Sequence, residues 1–157
     1  MFRTLLMRAC ALALCDAIGV PRPTEPPLVE APLTDDARLV AHAARDLRDT
    51  VLPAVQGSFA TARGSGAAAV AAYVAHSMRV RDDYHERELA DLAGLIGRRP
   101  VDEIDGFGAL GPAIDDVARE RELAAFFGRH LLRRGMLFAP LLGPLADRLP
   151  QRLDGTP

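Results

Sequence analysis

The chain has 157 residues, of which 49% are hydrophobic and 25% charged, and its formal net charge is −2. This composition excludes a disordered chain. Every basic residue is an arginine, but the 19 arginines are interspersed with 21 acidic residues, so no basic patch predicts a nucleic-acid partner. Alanine, leucine and arginine dominate, and no stretch alternates between apolar and polar residues. The sequence therefore predicts one all-α domain.

The first 20 residues have two open interpretations. Arg3 and Arg8 precede an apolar run from Ala9 to Cys15, which Asp16 interrupts. We expect a helix that docks on the bundle of a cytoplasmic protein; the alternative is a weak secretory signal, in which case the protein is exported. The run is too short to span a membrane. The two cysteines lack Cys-x-x-Cys spacing, which favours a reducing compartment.

Residues 21–33 are rich in proline and predict neither helix nor strand, because proline has a fixed φ and no backbone N–H. We interpret them as a linker or an extended strap that leads into a bundle domain, residues 34–150, followed by a polar tail, residues 151–157. A helix is predicted to begin after Thr34, whose side chain caps it ahead of two aspartates. The buried face of this helix is predicted to hold Val40, Ala43, Ala44, Leu47 and Val51.

The longest helix-forming stretch runs from Gly66 to Gly97 and organises the rest of the chain. It follows the triplet Gly64-Ser65-Gly66, which predicts a break. About thirty residues without a proline predict one helix of about 45 Å. One stripe of this helix collects the apolar residues Val70, Val74, Met78, Leu89, Leu92, Leu95 and Ile96. The sequence thus predicts a small bundle of four to five helices built around one long helix.

Three polar residues fall inside that stripe: Arg81, His85 and Glu88. Unpaired buried charge is too costly to persist, so we expect partners on a facing helix. We predict that Glu88 contacts Arg121, with His85 lining the same pocket. The candidate ligand-binding residues are Arg81, His85, Glu88, Arg121 and His130, and no catalytic residue is assigned.

The last third of the chain predicts a crossover and a central helix. Residues 100–112 contain three glycines and two prolines, which favours a loop between bundle helices. A helix is predicted from Ala113 to about Gly135, extended through Leu142, with a last turn at residues 145–149. Its first core face is predicted to hold Ile114, Val117, Ala118, Ala125, Gly128 and Leu132, with Arg121 at its centre. Towards its C-terminal half the opposite face is also apolar, through Leu123, Phe126, Phe127 and His130, so this helix is predicted to lie between neighbours.

A metal site is the alternative interpretation of the long helix. Asp82, His85 and Glu88 are spaced so that all three fall on one helical face, and bundle metal sites use such carboxylate and histidine ligands. Ligands on a second helix would come from Asp115, Asp116, Glu120 or His130. This alternative implies a divalent metal, whereas the preferred interpretation needs no cofactor.

No motif in the chain identifies a family or an enzyme class. The chain lacks Gly-x-Ser-x-Gly, a P-loop, a dinucleotide fingerprint and His-Glu-x-x-His. We therefore expect a binding or scaffold module that acts through a polar pocket or through partner helices, on a protein or small-molecule ligand, and that self-associates. The alternatives are a metal-binding or catalytic bundle that uses the Asp82/His85/Glu88 face and a purely structural oligomer.

Overall fold

The computed structural model describes residues 2–142, with side chains from Thr4 onward, and within that range it contains helices and no strand. The α-helices are α1 Phe2–Ala17, α2 Asp35–Asp46, α3 Leu52–Ala54, α4 Ser58–Ile96, α5 Glu103–Ala109, α6 Gly111–Ile114, α7 Glu120–Leu137 and α8 Ala139–Leu142. A π-helical turn, Leu47–Val51, joins α2 to α3, and a 3-10 turn, Val117–Arg119, precedes α7. The all-α prediction is confirmed. The predicted turn at 145–149 and the tail at 151–157 lie outside the described residues.

The number of helices exceeds the four to five predicted, because short helices form where the sequence predicted loops. Residues 100–112 were predicted to be a crossover loop, but they contain α5 and the start of α6. Asp102 caps α5, since its side chain accepts a hydrogen bond from the Asp105 amide at 2.8 Å. Helices this short carry no readable periodicity. None of the helices in residues 2–142 has the length and apolar character needed to cross a membrane.

The long helix α4 has 39 residues and begins at Ser58, well before the predicted start at Gly66. The glycine-serine-glycine triplet does not break it. A Cβ at Gly64 would lie 2.5 Å from Cδ2 of Leu52, so this glycine lets the α2–α3 segment approach α4 closely. The predicted end is confirmed: α4 stops at Ile96, and Gly97 follows in the left-handed conformation with φ 74°.

The apolar stripe of α4 is buried in only one half of the helix. Leu92 and Leu95 are buried in the main core cluster with Leu110, Leu123 and Phe126. In the first half, Val70 is 53% exposed, and Val74 and Met78 are exposed as well. The buried residues there are the alanines Ala68 and Ala75. The prediction of one continuous buried stripe is therefore wrong for this half.

Helix α7 lies between α1 and α4 and forms the centre of the bundle. It starts at Glu120, not at Ala113, because Asp116 accepts a hydrogen bond from the Ala118 amide and caps the preceding turn. The predicted core residues Ile114 and Val117 are exposed as a result, the latter by 83%. The buried residues of α7 are Leu123, Ala124, Phe126, Gly128, His130, Leu131, Arg133 and Gly135.

The proline-rich segment between α1 and α2 lies across α4 as an extended strap, which we define as residues 18–34. The Ala31 amide donates to the Arg79 carbonyl at 2.7 Å, and the Val29 amide donates to Asp83 at 2.9 Å. Arg87 donates from its guanidinium to the carbonyls of two prolines in the strap. The strap thus donates to α4 from two non-proline amides, and its proline carbonyls accept from Arg87, although the prolines themselves have no N–H to donate. The strap is docked on the bundle by specific contacts.

Candidate functional site

A buried charge cluster occupies the space between α4 and α7. Glu88 is completely buried, and each of its carboxylate oxygens has one partner. Arg133 donates from Nε to Oε1 at 2.7 Å, and His130 Nδ1 lies 2.7 Å from Oε2. The rings of Phe107 and Phe126 lie beside the His130 ring, with centroids 5.2 and 6.1 Å away. These contacts link α7 to α4 in apolar surroundings, and both oxygens of the Glu88 carboxylate have a partner.

The cluster continues through Asp91 towards the strap. Arg133 donates to Asp91 at 2.5 Å and Arg129 donates to it at 3.0 Å. Desolvation raises the pKa of Asp91, but the hydrogen bonds from the two guanidiniums outweigh it, so that this pKa is lowered. Glu25, on the strap, lies 3.4 Å from Arg133 without a hydrogen bond, and its burial raises its pKa. The strap therefore places a carboxylate over the outer side of the cluster.

The predicted contact between Glu88 and Arg121 is wrong. Arg121 is exposed and donates to the Gly19 carbonyl at 2.8 Å. Arg133, which does pair with Glu88, lies twelve residues further along α7, or about 18 Å along the helix axis. The error follows from the misplaced start of α7, which made Arg121 appear to be the centre of a buried face.

An open pocket of about 330 Å³ lies beside this cluster, where α4, α5, α7 and the chain before α8 meet. Its lining residues are Tyr73, Ser77, Arg81, Tyr84, His85, Glu103, Arg134, Leu137 and Phe138. The lining combines two guanidiniums, an imidazole and one carboxylate with three aromatic rings. Such a mixture of an apolar body and a few convergent polar groups is typical of a small-molecule site.

His85 lies between the Arg81 guanidinium and the Glu103 carboxylate in the pocket. Arg81 donates from Nε to His85 Nε2 at 3.2 Å, so Nε2 is the acceptor and the ring proton lies on Nδ1. Nδ1 lies 2.5 Å from Oε1 of Glu103. Oε1 is a buried oxygen, and His85 Nδ1 is its close polar neighbour. The His85 ring therefore bridges Arg81 and Glu103.

The aromatic wall of the pocket orients Arg134. Tyr73 stacks on Phe138 with ring centroids 5.1 Å apart, and the Arg134 guanidinium lies 5.6 Å from the centroid of Phe138. This is a cation–π arrangement. Tyr84 closes the inner side, where burial and then the charges of Glu88 and Glu103 raise its pKa, so that the phenol stays protonated.

The structure separates the candidate residues into three places. Arg81 and His85 line the pocket; Glu88 and His130 lie in the charge cluster beside it; Arg121 is remote from both. His130 also contributes to a second pocket of about 270 Å³ with Thr4, Met7, Leu131 and Arg134. Sequence reasoning missed Arg133, Arg134 and Glu103. The consecutive arginines between the apolar residues Leu131, Leu132, Met136 and Leu137 are the signal that indicates the first two.

The metal alternative is not supported by the positions of its residues. Asp82 and Glu120 are exposed, Asp116 caps a turn, and Glu88 is held by Arg133 and His130. Across residues 2–142, no three histidine, cysteine or acidic side chains lie close enough to hold a metal ion. Asp82, His85 and Glu88 share a helical face in sequence, but two of the three are committed to other contacts.

Comparison with protein families, curated proteins and solved structures finds no match to this chain.

Proposed function

We propose that the protein is a non-catalytic binding module that takes a small anionic ligand in the pocket between α4 and α7. The supporting observation is that Arg81 and Arg134 line this pocket without a carboxylate partner among the described residues. Both guanidiniums are exposed. By contrast, the arginines of the neighbouring cluster, Arg129 and Arg133, are paired with acidic side chains. Guanidinium groups without a carboxylate partner suit a carboxylate or phosphate of a ligand.

The size and lining of the pocket favour a ligand with an apolar part as well as a charge. A volume of about 330 Å³ is at the lower end of the range for small-molecule sites. The Tyr73–Phe138 stack offers an aromatic surface beside the Arg134 guanidinium. A compact anion with one ring or a short aliphatic chain matches this combination.

Titration with small anions tests this proposal. The probes are benzoate, 3-phenylpropanoate, phenyl phosphate and inorganic phosphate, measured by calorimetry and by amide chemical shifts. We expect at least one organic anion to bind saturably. Loss of one charge-assisted hydrogen bond is worth about 1.5–3 kcal/mol, so Arg81→Met and Arg134→Met should each weaken binding about tenfold or more.

Arg121→Met is the matched control, because it removes an exposed guanidinium outside the pocket. This variant should bind the probes as the unaltered protein does. Absence of saturable binding for every probe, or equal weakening by all three substitutions, would contradict the proposal.

Self-association and a cytoplasmic location stay predictions. The exposed row of Val70, Val74 and Met78 on α4 is the feature that supports self-association. Sedimentation analysis of the full chain tests it, and a monomer at all concentrations would contradict it. The metal-binding alternative would need a rearrangement of Glu88, and an unchanged melting temperature in the presence of a chelator would argue against it.

A further inference from the structure

We propose that Glu103 and His85 are positioning residues of the anion pocket: Glu103 fixes the His85 ring, and the ring holds the Arg81 guanidinium so that its two Nη groups are left for the ligand. This inference rests on the proposed anion-binding function and adds the residues that direct one of its two cations. The observation that carries it is the bridge from Arg81 through His85 to Glu103, which joins α4 to α5 at the pocket wall.

Glu103 is the inner end of this bridge. It is the first residue of α5, and its Oε1, the oxygen nearest to His85, is buried. Nδ1 of His85 lies 2.5 Å from this oxygen, so the carboxylate favours the tautomer with the ring proton on Nδ1. Because Oε1 is enclosed, it acts on a ligand only through the His85 ring.

Arg81 is the outer end of the bridge. Its Nε donates to Nε2 of His85 at 3.2 Å, which requires a lone pair on Nε2 and therefore the proton on Nδ1. The Nη groups of Arg81 have no hydrogen-bond or ion-pair partner within the part of the chain that the structure describes. His85 thus closes the Nε edge of the guanidinium and leaves Nη1 and Nη2, a pair that binds two oxygens of one carboxylate or phosphate.

The other charged groups near His85 do not replace this bridge. Glu88, one turn further along α4, already has a partner on each oxygen, and the Arg134 guanidinium lies against the aromatic wall. Arg81 itself is exposed, and ordering one such long side chain on binding weakens affinity by about two- to tenfold. Because His85 holds Nε before the ligand arrives, the bridge removes part of that loss.

Replacement of Glu103 separates positioning from charge. A carboxylate that acted only through its charge would repel an anion, so its removal would raise the affinity for 3-phenylpropanoate. We expect the opposite for Glu103→Leu, a loss of about two- to tenfold in calorimetry, because the His85 ring is no longer fixed. Glu103→Gln should bind at least as tightly as the unaltered protein, since its amide oxygen still accepts from Nδ1. The control Glu86→Leu removes an exposed carboxylate of α4 that pairs with Arg99 outside the pocket, and it should not change the affinity.

Nitrogen NMR follows the same bridge in the absence of a ligand. It distinguishes a ring nitrogen that carries a proton from one that has a lone pair. At about pH 8, where an unperturbed histidine is neutral, we expect His85 to be protonated at Nδ1 and the Arg81 Nε–H to give a hydrogen-bonded signal. In Glu103→Leu the ring should become a mixture of tautomers and this signal should weaken, whereas Glu103→Gln should retain both features. Circular dichroism reports whether each variant is folded.

The outcomes separate this inference from the proposed function. If the unaltered protein binds 3-phenylpropanoate and folded Glu103→Leu binds it as tightly or more tightly, the positioning role is overturned and anion binding stays in place. A His85 ring protonated at Nε2 in the unaltered protein would also overturn the positioning role, whether or not Glu103→Leu folds. If the unaltered protein binds none of the small anions, the proposed function fails and the positioning role fails with it.

Discussion

The buried pair of Glu88 and Arg133 gives the most discriminating prediction about stability. The Glu88 side chain is 0% exposed and that of Arg133 is 3% exposed, with 2.7 Å between the carboxylate and Nε. Removing one partner of a buried pair leaves an uncompensated charge and costs about 3–5 kcal/mol. We expect Glu88→Leu and Arg133→Leu each to lose an amount in this range, and Arg133→Leu to lose more because Asp91 also depends on it.

The double variant measures the interaction between Glu88 and Arg133 apart from the other contacts of these two residues. With Glu88 and Arg133 both replaced by leucine, no charge of the pair remains buried, and Asp91 keeps its bond to Arg129. The combined loss should therefore be smaller than the sum of the two single losses by about 2–3 kcal/mol. Urea unfolding followed by circular dichroism measures all four proteins, with the midpoint and slope recorded for each.

A second cycle with Arg121 serves as the control. Arg121 is exposed and makes no contact with Glu88, so Glu88→Leu and Arg121→Leu should add within about 0.3–0.5 kcal/mol. Exposed ion pairs contribute less than about 1 kcal/mol to stability. If Glu88→Leu lowers the free energy of unfolding by less than that, the buried geometry of the pair is refuted. Coupling of Glu88 to Arg121 instead of Arg133 would refute the assignment of partners.

Three further predictions concern other parts of the bundle. The pKa of Asp91 in the folded protein is lowered below its usual 3.8, so the ionised carboxylate stabilises the fold above that pH. The free energy of unfolding should therefore exceed that of Asp91→Asn by a constant amount near neutrality, and this difference should shrink as the pH falls below about 4. A difference that stays unchanged in acid would contradict the pairing. Gly128→Ala should lower the free energy of unfolding by about 1–3 kcal/mol, because the new Cβ meets Pro23 of the strap. Gly94→Ala has no neighbour within 4 Å and should raise it by about 0.5–1 kcal/mol. Equal effects of the two substitutions in thermal melts would show that the strap does not pack on Gly128. In urea unfolding, Leu92→Ala should cost about 2–5 kcal/mol because Leu92 is buried, and Val70→Ala should cost less than about 0.5 kcal/mol because Val70 is exposed. A similar loss at both sites would mean that the stripe of α4 is buried along its whole length.

The sequence was sufficient for the parts of the fold that depend on local chemistry. The absence of alternation predicts the all-α class, Thr34 caps α2 through a hydrogen bond from the Ala37 amide, and Gly97 ends α4. These features arise from neighbouring residues and can be read from a short window. The start of α4 was missed because the effect of Gly64 depends on Leu52 of the adjacent segment.

The candidate site was predicted only in part, since it depends on contacts between distant residues. The polar residues on α4 indicated the correct region, and Arg81 and His85 do line the pocket. The partner of Glu88 required the register of α7, which the turn capped by Asp116 shifts. Glu103 was hidden in a segment predicted to be a loop, so no periodicity placed it opposite His85.

The packing of α1 on α7 has a consequence for how the chain emerges during synthesis. The Cys15 thiol donates a hydrogen bond to the Ala124 carbonyl at 3.6 Å, and the two residues lie 109 positions apart in the sequence. At about 5–20 residues per second, the ribosome completes α7 roughly 6–24 s after α1 has been made. During that interval the apolar face of α1 has no native partner, because α7 does not yet exist. Nascent chains arrested before residue 120 should therefore carry α1 as an exposed apolar segment, which is the kind of surface that chaperones bind.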